Sequence, residues 1–169
     1  MIERLAHQLI ENHGNFTDTV LIGLQPRGIY LANRLVAYIE SITNLKLHYG
    51  KLDITFYRDD FNTGKELHIP NKTEIDFSIE NKKVVLIDDV LFTGRTIRSA
   101  MDALVDFGRP EKVELVVLID RRYSRQLPIQ ADYAGMVIDS IVSQKVKVYW
   151  KENDKKDEVV LVEHEKSES

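Results

Sequence analysis

The first part of the chain combines helical and extended hydrophobic patterns. Apolar residues between Ile2 and Ile10 recur at the spacing of one helix face, and Gly14 follows where a left-handed cap can end that helix. The continuous apolar run from Thr19 to Leu24 indicates a strand. The turn from Gln25 to Gly28 then leads into a second helical stripe. The predicted unit is a strand, a tight turn and a helix.

Two later apolar runs end in aspartate. The run from Lys82 to Asp89 closes with two acids, and the run from Val113 to Asp120 closes with one. Continuous apolar strands of this kind fit a parallel sheet that is covered on both faces. A helical stripe separates the two runs and ends at Gly108 and Pro110. Strands that alternate with helices predict an α/β fold with a central, mostly parallel sheet flanked by helices.

Three segments depart from this alternation. The stretch from about 58 to 78 is long, polar and without a pattern, which indicates either a functional lid or a passive surface loop. Residues 121–143 are predicted to be irregular. Two β-type runs on either side of residues 153–156 predict a C-terminal β-hairpin. Because no repeat or linker is visible, we expect residues 1–169 to form one domain.

Composition excludes several classes of protein. The formal charge is −4 over 169 residues, and residues 151–169 supply −3 of it through four basic and seven acidic side chains. This balance argues against a globally basic nucleic-acid binder. Without cysteine there are no thiol nucleophiles, disulfides or thiolate metal sites. No window approaches the ~20 apolar residues of a membrane span, and the charged first residues do not resemble a signal peptide. We expect a cytoplasmic protein that does not contact membranes.

The strongest chemical signal is the segment VVLIDDVLFTGRT, residues 84–96. Asp88 and Asp89 stand at the end of a predicted strand, where open α/β sheets bind their ligands. Adjacent acids are costly there, and a helix cap explains one of them but not the pair. Four residues follow at the start of the next helix: Thr93, Gly94, Arg95 and Thr96.

A helix start of this composition attracts an anion. Its unpaired N–H groups and dipole favour negative charge, and the glycine, the hydroxyls and the arginine add close approach, hydrogen bonds and a cation. One ligand that satisfies both the acids and this loop has a phosphate at one end and hydroxyls, with or without Mg²⁺, at the other. A ribose 5-phosphate fits that description. The fingerprints of P-loop and dinucleotide-binding proteins are absent.

The same segment resembles the phosphoribosyl-diphosphate (PRPP) signature of type I phosphoribosyltransferases. Four further segments, RGIYLANRL, DITFYRDD, MDALVDFGRP and LPIQADYAG, resemble the bacterial pyrimidine-operon attenuator family (PyrR). The likeness extends from about Arg4 to Ile138. It implies a type I phosphoribosyltransferase fold and a function that combines RNA-binding regulation with uracil phosphoribosyltransferase activity.

The resemblance also implies roles for individual residues. Asp88 and Asp89 would hold the ribose hydroxyls of PRPP, and residues 93–96 would bind its 5-phosphate. Arg27 and Gly28 would bind the pyrophosphate. The other implied site residues are Arg58, which closes over the diphosphate from the polar loop, and Asp120, Arg121 and Arg122, which begin a hood over the base at about residues 120–143.

The implied reaction is the Mg²⁺-dependent transfer of phosphoribosyl from PRPP to uracil, which gives UMP and pyrophosphate. The metal would be carried by PRPP near Asp88 and Asp89, without direct protein ligands. A homodimer or homotetramer is expected. Two alternatives stay open: a UMP- or UTP-sensing RNA-binding regulator of pyrimidine genes with weak or no catalysis, and a phosphoribosyltransferase for another base.

The chain departs from the family pattern in the pyrophosphate loop and in the hood. Pro26 stands where the family has threonine and removes one backbone N–H from the loop, which predicts reduced activity. Arg122 stands where the family has the glycine that lets the backbone approach the base. This second change leaves the choice of base open.

The residues that resemble the family's RNA-binding face are only partly present. His7 and Arg125 occupy matching positions. Glu3, Gln130 and Met136 replace a threonine, an arginine and a lysine, respectively. Each lost cation removes a phosphate contact, and Glu3 adds repulsion. The sequence therefore disfavours RNA attenuation of the family's type.

Overall fold

The computed structural model describes residues 1–55, 73–141 and 143–163. The helices and strands in chain order are α1 (Ile2–His13), β1 (Thr19–Gln25), α2 (Gly28–Thr43), β2 (His48–Asp53), β3 (Lys83–Leu91), α3 (Arg95–Leu104), β4 (Lys112–Arg122), β5 (Tyr133–Asp139), β6 (Gln144–Tyr149), α4 (Lys151–Asp154) and β7 (Glu158–Glu163). One turn of 3-10 helix, Val105–Phe107, extends α3.

Five parallel strands form the central sheet in the order β2-β1-β3-β4-β5. Strands β6 and β7 pair antiparallel in a separate hairpin, with α4 in their connection. The predicted parallel α/β sheet and C-terminal hairpin are therefore confirmed. In the part of the chain that the structure describes, no helix combines the length and apolar character needed to cross a membrane.

Neighbouring residues of β3 face opposite sides of the sheet. Val85 and Ile87 lie in a buried cluster with α1 and α2. Val84 and Leu86 lie in a second cluster with α3. Because both faces of the strand are covered, its apolar run is continuous rather than alternating. The hairpin adds Trp150 to the first cluster.

The first helix forms where the apolar stripe predicts it. Leu5, Ala6 and Leu9 are buried in the first cluster. Gly14 follows with a φ of +58°, and its N–H donates to the carbonyl of Ile10. A residue with a side chain is strained at that φ, so glycine is well suited to end the helix.

The prediction that residues 121–143 are irregular is wrong, because they contain β5. This strand pairs with β4 at the edge of the sheet, and Arg121 and Arg122 are the last residues of β4. Only Tyr133 and Gly135 of β5 are buried, whereas Met136 and Val137 are exposed. The strand therefore lacks the apolar pattern by which the other strands were predicted.

The polar stretch predicted at about 58–78 ends in residues that contact the sheet. Residues 56–72 lie outside the described part of the chain. Glu74 forms an antiparallel bridge with Lys51, and Ile75 and Phe77 contact the second buried cluster. The end of the predicted loop therefore includes contacts with the sheet and with its buried cluster.

A buried polar network joins four elements at the amino ends of the strands. His13 contacts the hydroxyl of Thr19 through Nδ1 at 2.9 Å and Oε2 of Glu114 through Nε2 at 3.0 Å. The Tyr133 hydroxyl donates to the same Oε2 at 2.8 Å. Burial acts to raise the pKa of Glu114, but the bonds from Tyr133 and His13 outweigh it and lower that pKa. The ionised carboxylate therefore stabilises the fold.

We predict that Glu114→Gln lowers the free energy of unfolding by about 1–3 kcal/mol at pH 7, because it weakens a buried charge-assisted network. The folded-state pKa of Glu114 is lowered. Its contribution is therefore complete above the ordinary glutamate pKa and is lost as the pH falls through the folded-state pKa. Urea unfolding at neutral and acidic pH measures both effects. The exposed Glu111 supplies the matched control, Glu111→Gln. Equal losses in both variants would contradict the prediction.

Candidate active site

The strand order creates a crevice at the carboxyl ends of β1 and β3. Strand β1 lies between β2 and β3. The helix that follows β1 packs in the first buried cluster, whereas the helix that follows β3 packs in the second, on the other face of the sheet. The two connections therefore diverge between these strands. In open α/β sheets, such a point is where ligands bind.

The predicted acidic pair lies at this crevice. Asp88 is buried, and Asp89 is mostly covered. The N–H of Asp89 donates to Oδ1 of Asp88, and the N–H of Val90 donates to Oδ1 of Asp89, both at 2.8 Å. Burial, and then the charge of Asp89, raise the pKa of Asp88 well above its ordinary value. The pair is electrostatically costly in the ligand-free chain, and groups that donate hydrogen bonds to it would relieve that cost.

The predicted anion loop follows directly at the start of α3. Gly94 has a φ of +94°, and a Cβ there would lie 3.2 Å from side-chain atoms of Ile129. Backbone angle and space both favour glycine. The hydroxyl of Thr93 accepts from the N–H of Arg95, and its carbonyl accepts from the N–H groups of residues 126 and 127. The segment 126–129 thus supports the loop, a contact that the sequence pattern does not reveal.

The side chains of the last two residues of this loop face outward. Arg95 and Thr96 are exposed at the first turn of α3. The Arg95 Nε donates to Oε1 of Gln126 at 2.7 Å. The unpaired N–H groups expected at a helix start lie at this same end of α3. Backbone N–H groups, two hydroxyls and a guanidinium therefore lie close together at the start of α3.

Gly28 brings the start of α2 against the acidic pair. A Cβ at Gly28 would lie 2.5 Å from the carbonyl oxygen of Ile87 and 3.0 Å from Cα of Asp88. Glycine is needed for this close approach of two backbones. Next to it, Nε of Arg27 lies 3.4 Å from Oδ2 of Asp89. The structure therefore brings together Arg27, Gly28, Asp88 and Asp89.

A cavity of about 480 Å³ opens beside Arg27 and Asp89. The rest of its lining is Val90, Phe92, Arg121, residues 145–149 of the hairpin, and Asp154. The sequence did not predict that the hairpin contributes to the site. Its position depends on long-range packing, and no local motif marks it.

The predicted hood residue Arg121 is buried and bonds to three acceptors. Its Nε donates to the Ser140 hydroxyl, and its Nη2 donates to the carbonyls of Ile141 and Gln144. The guanidinium also lies 4.0 Å from the centroid of the Phe92 ring. Burial lowers the pKa of Arg121. This side chain fastens the end of β4 to the start of β6 and forms part of the cavity wall.

The other two hood candidates are also paired. Arg122 is exposed and bonds to Asp139 on the neighbouring strand, at 2.8 Å from its Nε. Asp120 is buried and forms a 2.5 Å ion pair with Arg125. The bond and charge of Asp139 raise the pKa of Arg122. These side chains hold the carboxyl end of β4 in place.

The two RNA-face candidates have different surroundings. Besides Asp120, Arg125 donates to the carbonyls of Phe92, Arg121 and Ile129. It therefore has an internal role. His7 is exposed on α1, with its ring edge-on to that of Tyr38 at 5.8 Å. The predicted lid residue Arg58 lies outside the described residues.

Comparison with known proteins agrees with this architecture. The family model described as phosphoribosyl transferase domain matches residues 1–153. A hypoxanthine phosphoribosyltransferase structure from Staphylococcus aureus superposes with a TM-score of 0.68 at 24% identity, covering 98% of this chain and 86% of that one. At that identity the structure shows the fold alone. The chain belongs to the phosphoribosyltransferase family.

More similar relatives narrow the assignment. A protein of Desulfosudis oleivorans named bifunctional protein PyrR is 48% identical over 158 residues, which are 94% of this chain and 87% of that protein. A protein of the same name from Bacillus velezensis is 45% identical and covers 97% of this chain and 91% of its own length. Within the phosphoribosyltransferases, the chain is a member of the PyrR family.

We predict that Asp88→Asn stabilises the ligand-free protein at pH 8. Because the pKa of Asp88 is raised in the folded state, wild-type stability falls as the pH rises from the ordinary aspartate pKa through the raised one. Asparagine removes that penalty and keeps an oxygen that accepts from the Asp89 N–H. Thermal unfolding between pH 5 and pH 8 measures the gain, which should shrink at the acidic end.

The exposed Asp102 on α3 provides the control variant Asp102→Asn. It should change the melting temperature little at any pH. A stability gain for Asp88→Asn that is the same at every pH, or no gain at all, would show that the charge of Asp88 carries no such cost.

Proposed function

We propose that this protein transfers the phosphoribosyl group from PRPP to uracil, giving UMP and pyrophosphate. The observation that carries the proposal is the contact of the α2 start with the end of β3. It places Arg27 and Gly28 against Asp88 and Asp89, next to the loop of residues 93–96. Membership of the PyrR family supports a transferase of this class.

Each part of the site has a role in that reaction. The bond between ribose C1 and the pyrophosphate oxygen breaks, and a bond from C1 to a base nitrogen forms as that nitrogen loses its proton. Positive charge develops on the ribose, which Asp88 and Asp89 stabilise while accepting hydrogen bonds from its hydroxyls. Negative charge develops on the departing oxygens, which the Arg27 guanidinium stabilises. Residues 93–96 hold the 5-phosphate.

Mg²⁺ is part of the proposal as a partner of PRPP. When bound, it neutralises charge on the diphosphate. Among the described residues there is no cluster of three or more His, Asp or Glu side chains that could hold a metal by itself. The adjacent carboxylates of Asp88 and Asp89 fit a cation that the substrate's own oxygens carry, rather than a protein cage.

The cavity beside Arg27 is the proposed base site. Arg121 and Phe92 form one wall, and the hairpin residues 145–149 form the other. We propose that this pocket, to which the hood of residues 120–143 contributes Arg121, selects uracil. Arg58 and the polar stretch around it are proposed to close over the diphosphate, excluding water that would compete with the base. A cytoplasmic location and a homodimer or homotetramer complete the proposal.

The test is a panel of free bases, each mixed with labelled PRPP and Mg²⁺, followed by identification of the nucleotide formed. We expect UMP from uracil and little product from purines. The variant Asp88→Asn/Asp89→Asn should lose at least about 100-fold in kcat/KM for PRPP, whereas Asp102→Asn should keep wild-type turnover. A purine nucleotide as main product would overturn the choice of uracil. Wild-type turnover in the double variant would overturn the site.

A second candidate function is RNA-binding regulation of pyrimidine genes, which the relatives' name, bifunctional, favours. Two surface positions weigh against the family's mode of binding. Glu3 is exposed on α1, and Met136 is half exposed on β5 where a cation would contact phosphate. Arg125 is committed to internal partners.

Titration with a pyrimidine-operon leader RNA at several salt concentrations tests whether the protein has this regulatory function. We expect weak binding that does not distinguish the leader from a scrambled RNA. Sub-micromolar, sequence-selective binding with a steep salt dependence would establish the regulatory function. Addition of UMP to the same titration tests whether the nucleotide site controls RNA affinity.

A further inference from the structure

A carboxylate from the C-terminal hairpin contacts the arginine of the proposed pyrophosphate site. Asp154 is the last residue of α4, in the connection between β6 and β7. Its Oδ2 lies 3.3 Å from Nη2 of Arg27 and 2.8 Å from the backbone nitrogen of Trp150. The same Nη2 donates to the carbonyl of Val148. Two acceptors of the hairpin therefore hold one nitrogen of this guanidinium.

The other two nitrogens of the Arg27 guanidinium have different surroundings. Its Nε faces Asp89 at 3.4 Å. Its Nη1 has no hydrogen bond or ion pair with any residue in the described ranges. The side chain is 40% exposed, and both Arg27 and Asp154 line the cavity beside the acidic pair. The cation is thus fixed at two nitrogens and has one left for a ligand.

We propose that Asp154 is a positioning residue for the transfer reaction. By holding Nη2 of Arg27, it fixes the guanidinium so that the remaining N–H groups meet the pyrophosphate of PRPP. The proposal rests on the proposed function of the site. An arginine that is ordered before binding loses less side-chain freedom when the ligand arrives, so part of the ordering cost is met by the fold.

The alternative effect of Asp154, repulsion of the anionic substrate, is the weaker one. The Trp150 N–H and the Arg27 guanidinium both stabilise its charged form and lower its pKa. Its negative charge is therefore already matched by two donors. The carboxylate also remains partly exposed, where water and salt screen it from a substrate that makes no contact with it.

The test compares wild type with Asp154→Asn, in which the side-chain oxygen still accepts from the Trp150 N–H. Calorimetry with inorganic pyrophosphate and Mg²⁺ should show about tenfold weaker binding in the variant, as expected for the loss of one charge-assisted bond. Binding of UMP should weaken less than binding of pyrophosphate, because its phosphate is proposed to lie at residues 93–96 and not at Arg27. In kinetics, KM for PRPP should rise and kcat should fall as well, because Arg27 also stabilises charge on the departing pyrophosphate.

Asp157→Asn is the matched control in the same connection. Asp157 pairs with Arg34 at 2.7 Å and, among the described residues, makes no hydrogen bond or ion pair with Arg27. This variant loosens the hairpin's attachment to α2 without touching the cavity, so pyrophosphate affinity should stay at the wild-type level. An equal loss in both variants would mean that Asp154 acts only through hairpin stability.

A double variant tests whether Asp154 acts through Arg27. In an Arg27→Ala background, Asp154→Asn should cause no further loss of pyrophosphate affinity. A further loss there would overturn the proposal, and so would unchanged or tighter pyrophosphate binding in the single variant. If wild type binds neither PRPP nor pyrophosphate, the proposed function itself fails. If wild type binds both ligands and the Asp154→Asn variant binds them equally well, only the role of Asp154 fails.

Discussion

The site depends on the close contact between the backbone at Gly28 and the end of β3. Strand β1 lies beside β3, and the turn that leaves β1 passes so near to Ile87 and Asp88 that a single Cβ would be obstructed. This contact brings a cation, Arg27, to a pair of carboxylates that it would not meet along the chain. The groups proposed to bind phosphate and hydroxyls are neighbours for a different reason: α3 starts a few residues beyond the aspartates along the chain.

The fold stabilises an arrangement that is unfavourable by itself. Asp88 is buried beside Asp89, and burial keeps its pKa high. The opposite end of the sheet is fully compensated, since His13, Tyr133 and Glu114 satisfy one another there. At the carboxyl ends of the strands, by contrast, the hydrogen bonds of Asp88 do not remove the cost of its buried charge. The proposed ligand, with its hydroxyls, phosphates and cation, would supply the missing partners, as in a preorganised active site.

The sequence predicts the parts of this site that depend on neighbours in the chain. Asp88 and Asp89 stand out because two acids follow an apolar strand, and Gly94 because it precedes a helix. It does not predict partners that folding brings from elsewhere. Arg121 was placed in the hood, but its acceptors at residues 140–144 fasten it into the wall of the cavity. Asp154 appeared as one charge among many in a hairpin turn.

The missed strand has a similar explanation. Residues 133–139 form an edge strand that is buried at only two positions, so its pairing with β4 leaves little trace in the hydrophobic pattern. Arg125 shows the same limit for charged residues. As a surface cation, Arg125 would bind an RNA phosphate, but its guanidinium donates hydrogen bonds to four acceptors within the protein. The local sequence pattern shows where charged and apolar residues stand along the chain, whereas the residues that they contact are determined by the topology of the fold.

The central claim is that one sugar phosphate spans the acidic pair and the start of α3. A crystal structure of the protein with UMP tests it most directly. The account predicts the phosphate at the N–H groups of residues 94–96, with the ribose hydroxyls within hydrogen-bond distance of Asp88 and Asp89. UMP bound elsewhere, for example in the cavity between Met1 and Val159, with both aspartates free of contact, would contradict it.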